Sequence, residues 1–165
     1  MVASGALDGR RIELLEGLLV EMSPHSPAHA EVIEELARHL AGARGRPRTQ
    51  LPLEVSADSV PEPDLAVLAE KPPAGSHPRT AVLVVEVSVT SHAADRGEKA
   101  RLYARAEVPT YWLVDVPGKA VEVRTDPGPD GYRRCDIYQV GTYVPSPDPG
   151  VADLDVGALL EGVGG

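Results

Sequence analysis

The 165-residue sequence has no phenylalanine, one tryptophan, two methionines and one cysteine. With Cys135 alone, an intramolecular disulfide and a cysteine cage for a metal are both excluded. The missing phenylalanine and the 4% aromatic content leave no RNA-recognition aromatic pattern. Long apolar runs are absent too. Ala81–Val85 is only of strand length, against the ~20 residues that span a bilayer. The first residues show no basic start followed by an apolar stretch. Together with the lone cysteine this makes the cytoplasm the expected location. Positive charge is in deficit: Lys and Arg number 16 against 25 Asp and Glu, for a net charge of −9. That balance disfavours a protein that coats nucleic acid non-specifically. There is no Gly-rich phosphate loop before a helix, no Gly-x-Ser-x-Gly elbow and no His-Glu-x-x-His. The five histidines do not cluster at metal spacing.

What is present suits one domain over residues 1–165, since 42% of residues are apolar and a chain of this length buries a real core. Pro and Gly, 16 of each, cut the chain into short pieces. Ile12–Leu15 and Leu18–Met22 read as strands joined by a Glu16-Gly17 turn. Ser26 is a candidate helix cap with Pro27 in the first turn. Ile33, Leu36 and Leu40 then recur at helical spacing up to Gly42. Residues 43–50 are basic and polar, Leu51–Val55 is a strand candidate, and Asp64–Leu68 is a short apolar strand. Ala81–Ser88 is the strongest strand, apolar enough to be buried on both faces. A second helix is predicted over 93–106, with Ser91 as a candidate cap. Strands are predicted at Thr110–Asp115, Ala120–Arg124 and Tyr132–Gln139, and a short helix at Val156–Leu160. This order points to an α/β (α+β) fold, a mixed central sheet flanked by helices.

Three residues stand out chemically. Asp64 follows Pro63, which cannot donate to a ladder, so its carboxylate belongs at a strand end; a plain turn residue is the competing reading. Glu86 interrupts an apolar strand, sharing a face with Val82 and Val84. An ionised group there is costly unless paired or bound to a metal; a solvated or salt-bridged residue at the sheet rim is the alternative. Lys99 is one of only three lysines, against 13 arginines. Its compact ammonium suits a phosphate or a water, although Asp95 at i−4 also makes it half of an ordinary helix ion pair. Together, two carboxylates from neighbouring strands and the Val87 carbonyl offer oxygens to Mg²⁺ or Mn²⁺. A nearby ammonium stabilises developing charge or orients an attacking water. The set suits phosphodiester hydrolysis.

Pro63-Asp64, then Glu86 after an apolar strand, resembles the PD-(D/E)XK nuclease signature. The stretch carrying Glu86-Val87, Ser88, Asp95, Lys99, Tyr103 and Tyr111-Trp112-Leu113-Val114-Asp115 is similar more narrowly to the Uma-two family of restriction-endonuclease-like proteins. The opening, with Gly17, Met22, Ser23, Pro24 and His29, resembles that family as well, and the match spans about 11–145. The resemblance implies a restriction-endonuclease-like sheet and a metal-dependent DNA endonuclease, with Asp64, Glu86 and Lys99 as its centre. It also implies a moved lysine, because a strict E-x-K would place one where Ser88 stands. His29 lies on the apolar stripe of the first helix, where a core or rim role competes with a place at the cleft. Glu31, Glu34 and Glu35 are candidates for the extra acid that such nucleases carry on their first helix, and Asp95 is a candidate support for Lys99. DNA would be met by Arg96, Arg101, Arg105 or the Arg44–Arg48 segment containing Arg46. A two-fold homodimer is the simplest way for so small a domain to cut both strands. The rival is a non-catalytic protein-interaction module on the same fold, which the acidic balance favours.

Overall fold

A computed structural model of the chain describes residues 11–22, 26–90 and 93–163, without the side chains of residues 93–96. Ser23, Pro24 and Ser91 lie outside the described residues. The chain opens with the antiparallel hairpin β1 (Ile12–Leu15) and β2 (Leu18–Glu21). Its turn residues Glu16 and Gly17 have φ of 49° and 79°, the left-handed pair that a two-residue hairpin turn demands. Helix α1 (Pro27–Leu40) follows, capped by the Ser26 hydroxyl, which accepts the His29 N–H at 3.2 Å. Its buried stripe is Val32, Ile33, Leu36 and Leu40.

Strands β3 (Arg46–Thr49), β4 (Leu65–Leu68) and β5 (Leu83–Ser88) lead to helix α2 (Ala93–Arg105). After it come β6 (Thr110–Asp115), β7 (Ala120–Gly128) and β8 (Gly131–Gln139). The chain closes with β9 (Tyr143–Val144), β10 (Leu154–Asp155) and α3 (Val156–Leu160). The main sheet runs β3-β4-β5-β6-β7-β8. Its one parallel pair among the described residues is β5 with β6, joined by the α2 crossover; the other neighbours are antiparallel.

Strand alternation separates two apolar cores. Leu83, Val85, Val87, Trp112 and Val114 pack on one face with Leu36 of α1 and Leu159 of α3. Val84, Tyr111 and Leu113 pack on the other with Ala100 and Tyr103 of α2. Glu86 alternates onto this second face, beneath α2. No helix among the described residues is long and apolar enough to cross a membrane.

The structure moves several expected boundaries. Leu51–Val55 is not a strand: Pro52 has no N–H to give, and the Leu53 and Glu54 N–H groups go to the carbonyls of Pro61 and Pro78. The basic segment Arg46–Thr49 pairs with β4 instead. Pro47 and two arginines are tolerated there because β3 is a sheet edge. Gly45 permits the approach, since a Cβ at that position would lie 2.6 Å from the Leu68 carbonyl oxygen. Strand β7 runs on through Thr125–Gly128, past the expected end at Arg124, and pairs with β8 along that length. Packing also continues past residue 145, with Leu154, Val156, Leu159 and Leu160 buried in the first core.

Leu36 is fully enclosed. Leu36→Ala is expected to cost on the order of 3 kcal/mol, read as a lower urea midpoint at unchanged slope.

Candidate active site

The two strands that carry the acids meet antiparallel, with Leu65 opposite Val85. That register puts Asp64 level with Glu86, just where β4 begins. Asp64 is 5% exposed. Its Oδ2 accepts the Val87 N–H at 2.8 Å and lies 3.1 Å from His29 Nε2. The aspartate therefore ties the first turn of α1 to the end of β5. His29 faces it because the Ser26 cap fixes the start of that helix.

Glu86 faces α2. Its Oε1 accepts from Lys99 Nζ at 3.1 Å and from the Tyr103 hydroxyl at 2.8 Å. Lys99 and Tyr103 are one helical turn apart, so α2 presents both to the same oxygen. Lys99 Nζ also donates to Glu13 Oε1 at 2.9 Å. Glu13, on β1, is 3% exposed and takes the Glu62 N–H at 2.7 Å.

This enclosure sets the charges. Burial, with the fields of Asp64 and Glu13, pushes the Glu86 carboxyl up to about 7, although Lys99 and the Tyr103 hydroxyl pull it down. Burial alone would lower the Lys99 ammonium, but Glu86 and Glu13 more than offset it and hold the lysine protonated. Burial and Glu86 raise the Tyr103 phenol well above its usual range, so Tyr103 is a neutral donor.

The structure thus brings Asp64, Glu86, Lys99, His29 and the Val87 backbone together. Ser88, at the E-x-K lysine position, spends its hydroxyl on the Thr90 carbonyl at 2.9 Å. Glu34 is exposed on α1; the buried third acid is Glu13, from β1. Glu13 carried the same signal as Glu86, an ionisable residue inside an apolar strand. The side chains of Asp95 and Arg96 lie outside the described residues. Arg46 and Arg101 are exposed, and Arg105, also exposed, is ion-paired with Glu16 at the β1–β2 turn. None of the described contacts joins these arginines to the acids.

Among the described residues, no three His, Cys, Asp or Glu side chains form a metal cage. Asp64 and Glu86 each commit one oxygen to protein donors. Among the described residues no hydrogen bond reaches Asp64 Oδ1 or Glu86 Oε2. Two carboxylate oxygens, with water and phosphate completing the shell, is the sparse arrangement that Mg²⁺ or Mn²⁺ accepts. The residues present fit such an ion and do not offer the closed nitrogen and sulfur set of a structural zinc.

A mixed sheet with helices on both faces, and two acids with a lysine at the end of its central strand, define a restriction-endonuclease-like fold. The family model Uma2, described as "Putative restriction endonuclease", matches residues 6–156, and the chain belongs to that family. A crystal structure of "a putative nuclease belonging to DUF820 from Anabaena variabilis ATCC 29413" superposes with a TM-score of 0.72 at 15% identity. The match covers 92% of this chain and 90% of that one, and at this identity it is a likeness of fold. No curated protein matches.

The raised Glu86 carboxyl makes stability depend on pH. Between the ordinary 4.5 and about 7 the folded chain holds a proton that the unfolded chain has released. The penalty for burying Glu86 is therefore absent below that window and complete above it. Stability is expected to fall as pH rises through the window, by on the order of 3 kcal/mol from this group. In urea titrations across the same range, the stability of Glu86→Gln relative to the parent should improve with rising pH.

Proposed function

We propose that the chain is a metal-dependent endonuclease that hydrolyses phosphodiester bonds in DNA, with Asp64, Glu86 and the Val87 carbonyl as ligands for Mg²⁺ or Mn²⁺. The observation that carries this reading is the convergence of Asp64, Glu86 and Lys99 from three separate segments on one largely enclosed spot. When bound, the ion polarises a phosphate oxygen and acidifies a water. The protein's own groups do the rest. His29 and the Val87 N–H hold one oxygen of Asp64 and leave the other for the ion. Tyr103 does the same for Glu86. The Lys99 ammonium faces negative charge as it builds on the phosphoryl oxygens, or orients the attacking water. The water oxygen bonds to phosphorus, the phosphorus–oxygen ester bond breaks, and the water's proton passes to the leaving oxygen or to solvent.

DNA as the substrate draws support from the family's description as a restriction endonuclease. The exposed arginines Arg46, Arg101 and Arg105, with Arg96, are the proposed phosphate contacts. A two-fold homodimer would place one centre on each strand. A cytoplasmic location belongs to the same reading.

Calorimetry with Mg²⁺ and Mn²⁺ is the first test. The parent should bind saturably, and Asp64→Ala and Glu86→Ala should each abolish binding. Lys99→Met should keep the metal yet lower the cleavage rate by about a hundredfold or more. DNA affinity should fall steeply with salt. A parent that binds neither metal nor DNA would sink this reading and favour the non-catalytic interaction module.

A further inference from the structure

We propose that Glu13 is a positioning residue whose carboxylate anchors the Lys99 ammonium beside Glu86, and so makes up for a lysine carried on a helix rather than on the strand. The inference rests on the endonuclease reading above. A lysine at position 88 would project from the same strand as Glu86, two residues on and on the same face. The strand backbone would then fix its origin. Lys99 starts from α2 instead, and a long flexible stem must cross to the sheet. Such a side chain needs a second anchor.

Glu13 has the properties of one. It lies 86 residues from Lys99 in sequence and 2.9 Å from its Nζ. It is itself held: the Glu62 N–H donates to the same oxygen at 2.7 Å. The hairpin that carries it is pinned to the segment before Asp64 by the Leu14–Val60 bridge and the Arg11–Glu62 ion pair. This tether matters most once an ion is present. A divalent cation held by Asp64 and Glu86 would draw on the Glu86 charge that Lys99 shares and would repel the ammonium. Glu13 is then the carboxylate left to the lysine. A role as a third metal ligand is disfavoured, because no cage of three such side chains exists among the described residues.

The chain has only three lysines, so its side-chain ammonium ¹⁵N spectrum is simple, and Lys99→Arg identifies the Lys99 signal. In the parent this signal should be sharp and slow to exchange with water. Glu13→Gln keeps the shape and an acceptor for the Glu62 N–H but removes the charge. It should broaden the Lys99 signal and leave those of Lys71 and Lys119 unchanged; a Lys99 signal as sharp as the parent's would overturn the proposal. Should that variant fail to fold, Glu13→Asp keeps the charge on a shorter stem, and the same two outcomes apply. In Mg²⁺-dependent cleavage, Glu13→Gln should lower kcat by about a hundredfold and change KM by no more than about twofold. In a Lys99→Met background it should have no further effect. A further loss there would mean that Glu13 acts on its own, against the proposal. A parent that neither binds metal nor cuts DNA would defeat the endonuclease reading, while the ammonium signal would still decide whether Glu13 holds Lys99.

Discussion

A carboxylate on a central strand, under a helix, has to be matched by positive charge and hydrogen-bond donors, and the arrangement around Glu86 follows from that requirement. Taking an ion out of water costs several kcal/mol unless partners replace the lost solvation. Here the replacement comes from Lys99 and Tyr103, both delivered by one turn of α2. Lys99 is then a partly buried cation with demands of its own, met by Glu13 on β1. The hairpin, the crossover helix and the central strand are thus joined by a single chain of charge compensation. The compensation is incomplete, since Glu86 still sits at about 7 rather than at its ordinary value. Residual strain of this kind is common where a group is arranged for chemistry rather than for stability.

The fold supplies the geometry at low cost. The one parallel pair among the described residues, β5 with β6, requires a crossover, and that crossover is α2. The same connection that closes the sheet therefore lays Lys99 across the strand that carries Glu86. On the opposite face, α1 packs its leucines into the first core while its capped N-terminus brings His29 to Asp64. Each side chain of the site stands on a regular element or directly beside one, which favours a fixed arrangement over a loop-borne one.

Legibility in the sequence followed the range of the interaction. Helix α1, with its cap, and the alternation of β5 were readable because they depend on residues a few positions apart. The Glu86 signal was readable for the same reason: an acid among valines is anomalous locally. Glu13 among Ile12, Leu14 and Leu15 is the same local anomaly and marks the third acid, whereas Glu34, the candidate on the first helix, is exposed. Strand β3 was hidden by composition. Arginines and a proline make a poor strand in isolation, and only its place at a sheet edge beside β4 makes it one.

The sequence by itself determined helices α1 and α2 and the central strand β5, the face of that strand on which Glu86 lies, and the one-turn spacing of Lys99 and Tyr103. Those properties are set by backbone periodicity, which acts over neighbouring residues. The tertiary structure alone decided that Lys99 reaches Glu86, that His29 meets Asp64 and that Glu13 joins them. These contacts link segments 13, 35 and 86 residues apart. Their strength comes from the low-dielectric interior, which exists only after the sheet and its helices have closed over it.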